Sequence, residues 1–408
     1  MPTKPNRAGQ QQNYVPQGNG DASGEYADEA TGSNIHFTNF KKPDEDSPLN
    51  TKKSHFTDVT EATDYIAASI RNYESFRKEH KQEYGHYWEH DIGSINLLHD
   101  SDIVKDKNSL IKMANAYKAA ADRGKPYWFV NDAMYGGKCC YFTRAKSDPD
   151  QKGIIIQPNV FKEGSVVYGS TWFHENGHLL DNTFNEGQGH YSIDYVSKKY
   201  GDTLEHVLDS EFKTYFTKER KQEIIDKIES LRNQVYESYG YNYQEMEQQR
   251  KELNAQLLPY KQELKQKYDE LQRMYDNNEI DYWRYLSLRD SYKARYQNQT
   301  YAITWKISRL ISKDSKATIE QEVANQVYKK YSTITDMYSS LGRGRLHPEY
   351  GGYHDRKYWQ SEKSKRVKEF FAEAFSGKTL NDTHLAQLKE AFPKSVEIFE
   401  EIYNDELR

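Results

Sequence analysis

From residue 217 to about 318, roughly one hundred positions hold one glycine, Gly240, and one proline, Pro259. Sheets and loops need turn residues every few positions, so a stretch with so little punctuation is confined to long helices. Inside it Ile224, Ile228, Leu231 and Val235 step by 4, 3 and 4. Leu253, Leu257, Tyr260, Leu264, Tyr268, Leu271 and Tyr275 step by 4, 3, 4, 4, 3 and 4. These narrow apolar stripes predict an antiparallel helical hairpin or coiled coil, with turns near residues 239–243 and 276–278. A helix of about 40 residues is about 60 Å long at 1.5 Å per residue, long enough to leave a compact core. A scaffold or self-association arm is at least as good a reading of it as substrate recognition.

The flanking sequence differs. Residues 1–55 are rich in Gly, Asn, Gln, Asp, Ser and Pro, and so poor in aliphatic side chains that ordering them costs more than burial returns. A disordered arm is expected there. Order is expected from Asp58-Val59-Thr60-Glu61, a helix start, and again in a helical pattern from Asn108 to Arg123. Residues 126–130, 139–142 and 153–157 are short runs rich in aromatic and β-branched residues, separated by Gly136-Gly137 and Ser147-Asp148-Pro149-Asp150. They predict a small, mostly antiparallel sheet. Net charge is −5 with no Lys/Arg block, which argues against nucleic acid as a partner. No apolar run approaches 18 residues and no signal peptide is visible. The expected setting is therefore cytoplasmic, virion-associated or reached by a non-classical export route. Cys139 and Cys140 are adjacent, so a bridge between them would close almost no loop.

The chemistry is concentrated in Ser170-Thr171-Trp172-Phe173-His174-Glu175-Asn176-Gly177-His178-Leu179-Leu180-Asp181. On a helix His174 and His178 share one face one turn apart, with Glu175 directly after the first. In this H-E-x-x-H arrangement two imidazoles can hold one Zn²⁺, and the carboxylate can take a proton from the zinc-bound water. Trp172, Phe173, Leu179 and Leu180 bracket the polar residues, which favours a buried site over a solvated histidine pair. A catalytic zinc needs a third protein ligand. The H-E-x-x-H-x-x-G-x-x-H pattern is absent, since Asp181 and Phe184 stand where Gly and His would be. A carboxylate from another helix is expected instead. Glu205 stands 27 residues past His178; Glu186 and His190 are nearer, in a Gly-rich loop. The most suggestive segment is Lys368-Glu369-Phe370-Phe371-Ala372-Glu373-Ala374-Phe375. There two carboxylates four apart share a face among aromatics, an arrangement too costly to bury without a cation or donors.

HENGHLLD followed by EFFAEAF closely resembles the catalytic domain of anthrax lethal factor and related zinc endopeptidases. The resemblance covers about residues 165–185 and 365–376 and their order, and leaves 217–318 unmatched. It implies that Glu369 is the third zinc ligand, that Glu373 lies behind the ligands, and that Asp181 orients an imidazole. The family carries a tyrosine a few residues before its ligand glutamate; here Glu362 stands in that place, and the nearest tyrosines are Tyr358, Tyr353 and Tyr350. The Gly-containing stretch from Leu346 to Asp355 is the expected active-site loop, and a tyrosine or histidine from residues 347–358 is the expected oxyanion donor, Tyr353 and then Tyr350 being favoured.

The combined expectation is an α+β fold: a zincin-like metallopeptidase domain, with a small antiparallel sheet plus active-site helices, carrying a long helical insertion. Its divisions are the arm 1–55, a first part 56–216 with the HExxH helix, the insertion 217–318 and a second part 319–408. The expected function is Zn²⁺-dependent hydrolysis of peptide bonds in a protein or peptide substrate, as in a toxin-like effector. The competing expectation is a phage or virion-associated assembly or interaction protein with a structural or vestigial zinc. The N-terminal arm resembles leaders of proteins encoded by prophages and mobile elements in Gram-positive bacteria.

Overall fold

The computed structural model describes residues 43–79, 98, 100, 102–131, 140–145, 148–156, 170–184, 190–351, 354, 356–361, 364–380 and 383–405. Residues 1–42 of the expected N-terminal arm lie outside them. The chain divides into two units, one of residues 1–225 and 327–408 and one of residues 226–326.

In chain order the first part holds α1 (Val59–Glu79), α2 (Asn108–Asp122), β1 (Trp128–Asn131), β2 (Cys140–Ala145), β3 (Asp148–Ile156), α3 (Ser170–Phe184), α4 (Tyr191–Asp194) and α5 (Leu204–Tyr215). Then come α6 (Lys218–Ser238), α7 (Tyr243–Asp276), α8 (Tyr282–Leu310) and α9 (Lys313–Tyr338). The chain ends with α10 (Arg356–Ser361), α11 (Lys365–Leu380), α12 (Thr383–Ala391) and α13 (Pro393–Asp405). Side-chain oxygens secure several starts: Asp58 accepts the Glu61 amide, Thr203 that of His206 and Asn242 that of Glu245.

The expected α+β class is overturned, because the chain is mostly helical. Its strands make a three-stranded patch in the order β1-β3-β2, with β1 parallel and β2 antiparallel to β3, rather than a mostly antiparallel layer. The runs at 126–130, 139–142 and 153–157 overlap β1, β2 and β3, but Asp148-Pro149-Asp150, expected as a turn, belong to β3, and three short strands are too few to form a layer. Of the strand side chains described, Ile154 alone joins the buried hydrophobic set, and helices supply almost all the rest. Among the described residues no helix is long and apolar enough to cross a membrane.

In the first unit α3 and α11 form the most extensive helix pair. Trp172, Phe173, Leu179 and Leu180 of α3 and Phe370, Phe371 and Phe375 of α11 are fully buried. Each such side chain contributes roughly 1.5–3 kcal/mol. Gly177 brings the two backbones together: a Cβ there would lie 2.7 Å from Ala372 Cα. Phe399, Ile402 and Tyr403 of α13 and Leu208 and Phe212 of α5 extend the same core. Glu211 ties α5 to the start of α13, its carboxylate accepting the amides of Lys394 and Ser395 and the Ser395 hydroxyl.

The second unit is helical throughout, and α7 packs along α8. On α7, Leu257 and Leu271 are buried while the polar residues flanking the stripe face solvent. Arg232 and the Tyr236 hydroxyl both donate to Glu320 Oε1, at 3.1 and 2.5 Å, and the Arg232 guanidinium lies over Tyr243.

Candidate metal centre

The helical period of α3 sends its apolar residues into the core and turns His174 and His178 to one side. Asn176, between them, is spent on structure: its Oδ1 accepts the Tyr117 hydroxyl and its Nδ2 donates to the Trp172 carbonyl. The Nε2 atoms of the two imidazoles are 3.1 Å apart. From α11 Glu369, 2% exposed, places Oε2 3.2 Å from Nε2 of His174 and 3.5 Å from Nε2 of His178. Donors held 2.0–2.1 Å from a tetrahedral Zn²⁺ are about 3.3 Å from one another. The three edges bracket that value, and two imidazoles with one carboxylate make a donor set suited to zinc.

Charge points the same way. Glu369 Oε2 is buried, and its near neighbours are the two imidazole nitrogens. Burial alone would push the Glu369 carboxyl up, but the His178 and His354 charges and the hydrogen bonds from His174 and His178 hold it well below its usual range. Burial would push His174 down, and its hydrogen bonds to Glu369 and Glu373 override this and hold it well above its ordinary value. Buried carboxylates like these require positive charge beside them, which a proton on imidazole can supply. A divalent cation answers the same need.

Glu373 lies one turn beyond Glu369. Its Oε1 is 3.4 Å from Nδ1 of His174, and its Oε2 accepts the Thr333 hydroxyl of α9 at 2.6 Å. A carboxylate behind an imidazole fixes the ring and leaves the other nitrogen free for a metal. Glu175 is buried on α3, and its charge helps to raise the Tyr358 hydroxyl pKa.

Other expected positions lie differently. Asp181 is fully buried and accepts from His190 Nδ1, the Ser192 amide and the Ser192 hydroxyl, so the imidazole it holds is that of His190. Burial, opposed by Asp181, leaves His190 below its ordinary value. Tyr350 stacks on His347 at 5.2 Å, and Tyr353 lies outside the described residues, as do Glu186 and Cys139. Glu205 sits in the first turn of α5 and belongs to neither cluster with metal-ligating spacing among the described residues.

The tyrosine beside the donors is Tyr358 of α10, whose hydroxyl donates to Glu369 Oε1. Burial and the Glu369 charge push that phenol well above its ordinary value, which keeps it a donor. His354 stacks on the Tyr358 ring, and its Nδ1 lies 3.1 Å from each oxygen of Asp336. Burial would lower His354, but the Asp336 and Glu369 charges bring it up to about 9. Asp336 and Thr333 are not among the sequence candidates, whereas His354 falls within the 347–358 stretch expected to supply an oxyanion donor. The visible cue was the polar run Thr333, Asp336, Ser339 and Ser340 threaded among Ile334, Met337 and Tyr338. All seven are buried.

Comparison with protein-family models, with curated proteins and with solved structures returns no match.

Proposed function

We propose that the chain is a zinc-dependent metalloendopeptidase that hydrolyses peptide bonds of a protein substrate. One observation carries the reading: Glu369 Oε2 meets Nε2 of His174 and Nε2 of His178 at mutual distances of 3.1–3.5 Å. Order along the chain supports it too, since HENGH precedes and EFFAEAF follows, as in lethal factor-type peptidases. When bound by His174, His178 and Glu369, Zn²⁺ supplies a Lewis acid that acidifies water and polarises a carbonyl.

Residues of the chain do the rest. Glu175 takes a proton from the attacking water and hands it to the leaving amine. Tyr358 donates its hydroxyl to Glu369 Oε1 and so orients that carboxylate. Glu373 holds the His174 ring through Nδ1, and Thr333 holds Glu373. Replacing Glu175 by glutamine should leave Zn²⁺ stoichiometry unchanged and abolish cleavage of a peptide library, whereas His178→Ala should lose both. Full cleavage by the Glu175→Gln protein refutes the assignment.

A second reading, that the helical unit works as an interaction arm, is favoured by its exposed aromatics. Trp283 is 77% and Tyr301 67% exposed, two large rings open to a partner. Sedimentation of the full chain before and after Trp283→Ala with Tyr301→Ala separates this role from catalysis.

A further inference from the structure

Tyr358 is gripped from every side. The His354 ring lies 4.0 Å from its centroid at an interplanar angle of 20°, and the Lys365 ammonium lies 3.9 Å from the same centroid. Two groups that close to one centroid cannot share a face, so the ring is sandwiched between them. Trp359 abuts its edge at 5.1 Å and 80°, and the Trp359 indole N–H is anchored on the Ser339 hydroxyl at 3.0 Å. His354 in turn is fixed by Asp336, a buried residue of α9. Asp336 Oδ1 accepts the His354 backbone amide at 2.9 Å, and both its oxygens face Nδ1. The loop reaches this position across Gly351, whose φ of +98° suits only glycine and whose Cβ would strike Thr335 at 2.7 Å.

We propose that Asp336 and His354 are a positioning pair that sets the Tyr358 hydroxyl on Glu369 Oε1 and so keeps Oε2 turned to the two imidazoles. The pair acts on the metal site through Tyr358 and need not touch the metal. This rests on the reading of Glu369 as a ligand. Asp336, His354 and Glu369 also have metal-ligating spacing among themselves. However, an Nδ1–H donated to Asp336 is not a ligand atom, and Asp336 already accepts the His354 amide.

The test is Zn²⁺ affinity of the full chain, read by chelator competition, in His354→Asn, Tyr358→Phe and the double variant. Asparagine keeps an N–H for Asp336 and removes the stacked ring, so the loop stays anchored. Each single variant should lose about 10–100-fold in affinity. If His354 works through Tyr358, the double variant should bind no more than about threefold more weakly than the worse single one. Asp336→Asn, which keeps an acceptor for the His354 amide but removes the charge facing Nδ1, should weaken Zn²⁺ binding within the same range of about 10–100-fold. Multiplicative losses in the double variant, wild-type affinity in Asp336→Asn, or a second equivalent of Zn²⁺ lost with His354 would each overturn the positioning role. A wild-type chain that takes up no Zn²⁺ would overturn the metallopeptidase reading as well, which separates the two failures.

Discussion

Replacing Gly177 by alanine asks how closely the two donor-bearing helices must approach. The added methyl would lie 2.7 Å from Ala372 Cα, 3.2 Å from the Ala372 carbonyl oxygen and 3.2 Å from Phe375 Cβ. Carbon atoms settle at about 3.5–4.0 Å, so α3 and α11 would have to part by about 1 Å. The blocking atoms are main chain and have no rotamer to escape into. Alanine in a helix gains roughly 1 kcal/mol over glycine, while overpacking costs about 1–3 kcal/mol. With backbone against backbone the upper part of that cost applies, leaving a net loss of about 1–2 kcal/mol. That lowers the melting temperature by about 2–8 °C.

The effect on the metal centre should be larger. Gly177 lies between His174 and His178, and Ala372 between Glu369 and Glu373. Parting the helices stretches the His–Glu edges of 3.2 and 3.5 Å past what one ion can span. Zn²⁺ affinity should fall about a hundredfold. Calorimetry of the metal-free protein and chelator competition measure the two effects separately. Wild-type affinity together with an unchanged or raised melting temperature would refute this account of the helix crossing.

Two further outcomes follow from the same geometry. Glu373→Gln keeps an acceptor for Thr333 but removes the charge behind His174, so Zn²⁺ affinity should drop about 10–100-fold with little loss of fold; equal affinity by chelator competition would show that the carboxylate does not act on the ring. Because Glu369 and Glu373 hold His174 well above its ordinary value, a metal must displace its proton, and apparent Zn²⁺ affinity should rise with pH until that raised value is passed. The same proton stabilises the metal-free fold fully below the unfolded imidazole value, and this contribution is lost as pH rises through the folded one. Calorimetric titration in buffers of different ionisation enthalpy counts the protons, and none released at neutral pH would contradict the charge argument.

The helix faces that bring these imidazoles and carboxylates together were legible because helix periodicity does the placing. His174 and His178, and Glu369 and Glu373, stand four apart as polar islands among side chains that are fully buried. The stripe on α7 was legible for the same reason: Leu257 and Leu271 are buried, and Gly240 takes a φ of +81° just after α6. Of Tyr358 and His354, only their membership of the 347–358 stretch was legible. They stand in a six-residue helix and a loop, where no period acts, and their positions depend on Asp336 and Lys365, which no local pattern links to them. Fold class failed for a different reason. The β-rich runs were weighed by residue type, although their short length limits the area of core a sheet can cover.

The division of the donors along the chain sets a timetable for their assembly. Roughly 195 residues separate His174 from Glu369, and the whole unit 226–326 lies between them. At about 5–20 residues per second, the imidazole pair leaves the ribosome about 10–40 s before its carboxylate exists. A chain interrupted within the helical unit therefore carries His174 and His178 without Glu369, and the proposed trio is finished only once α11 has been made.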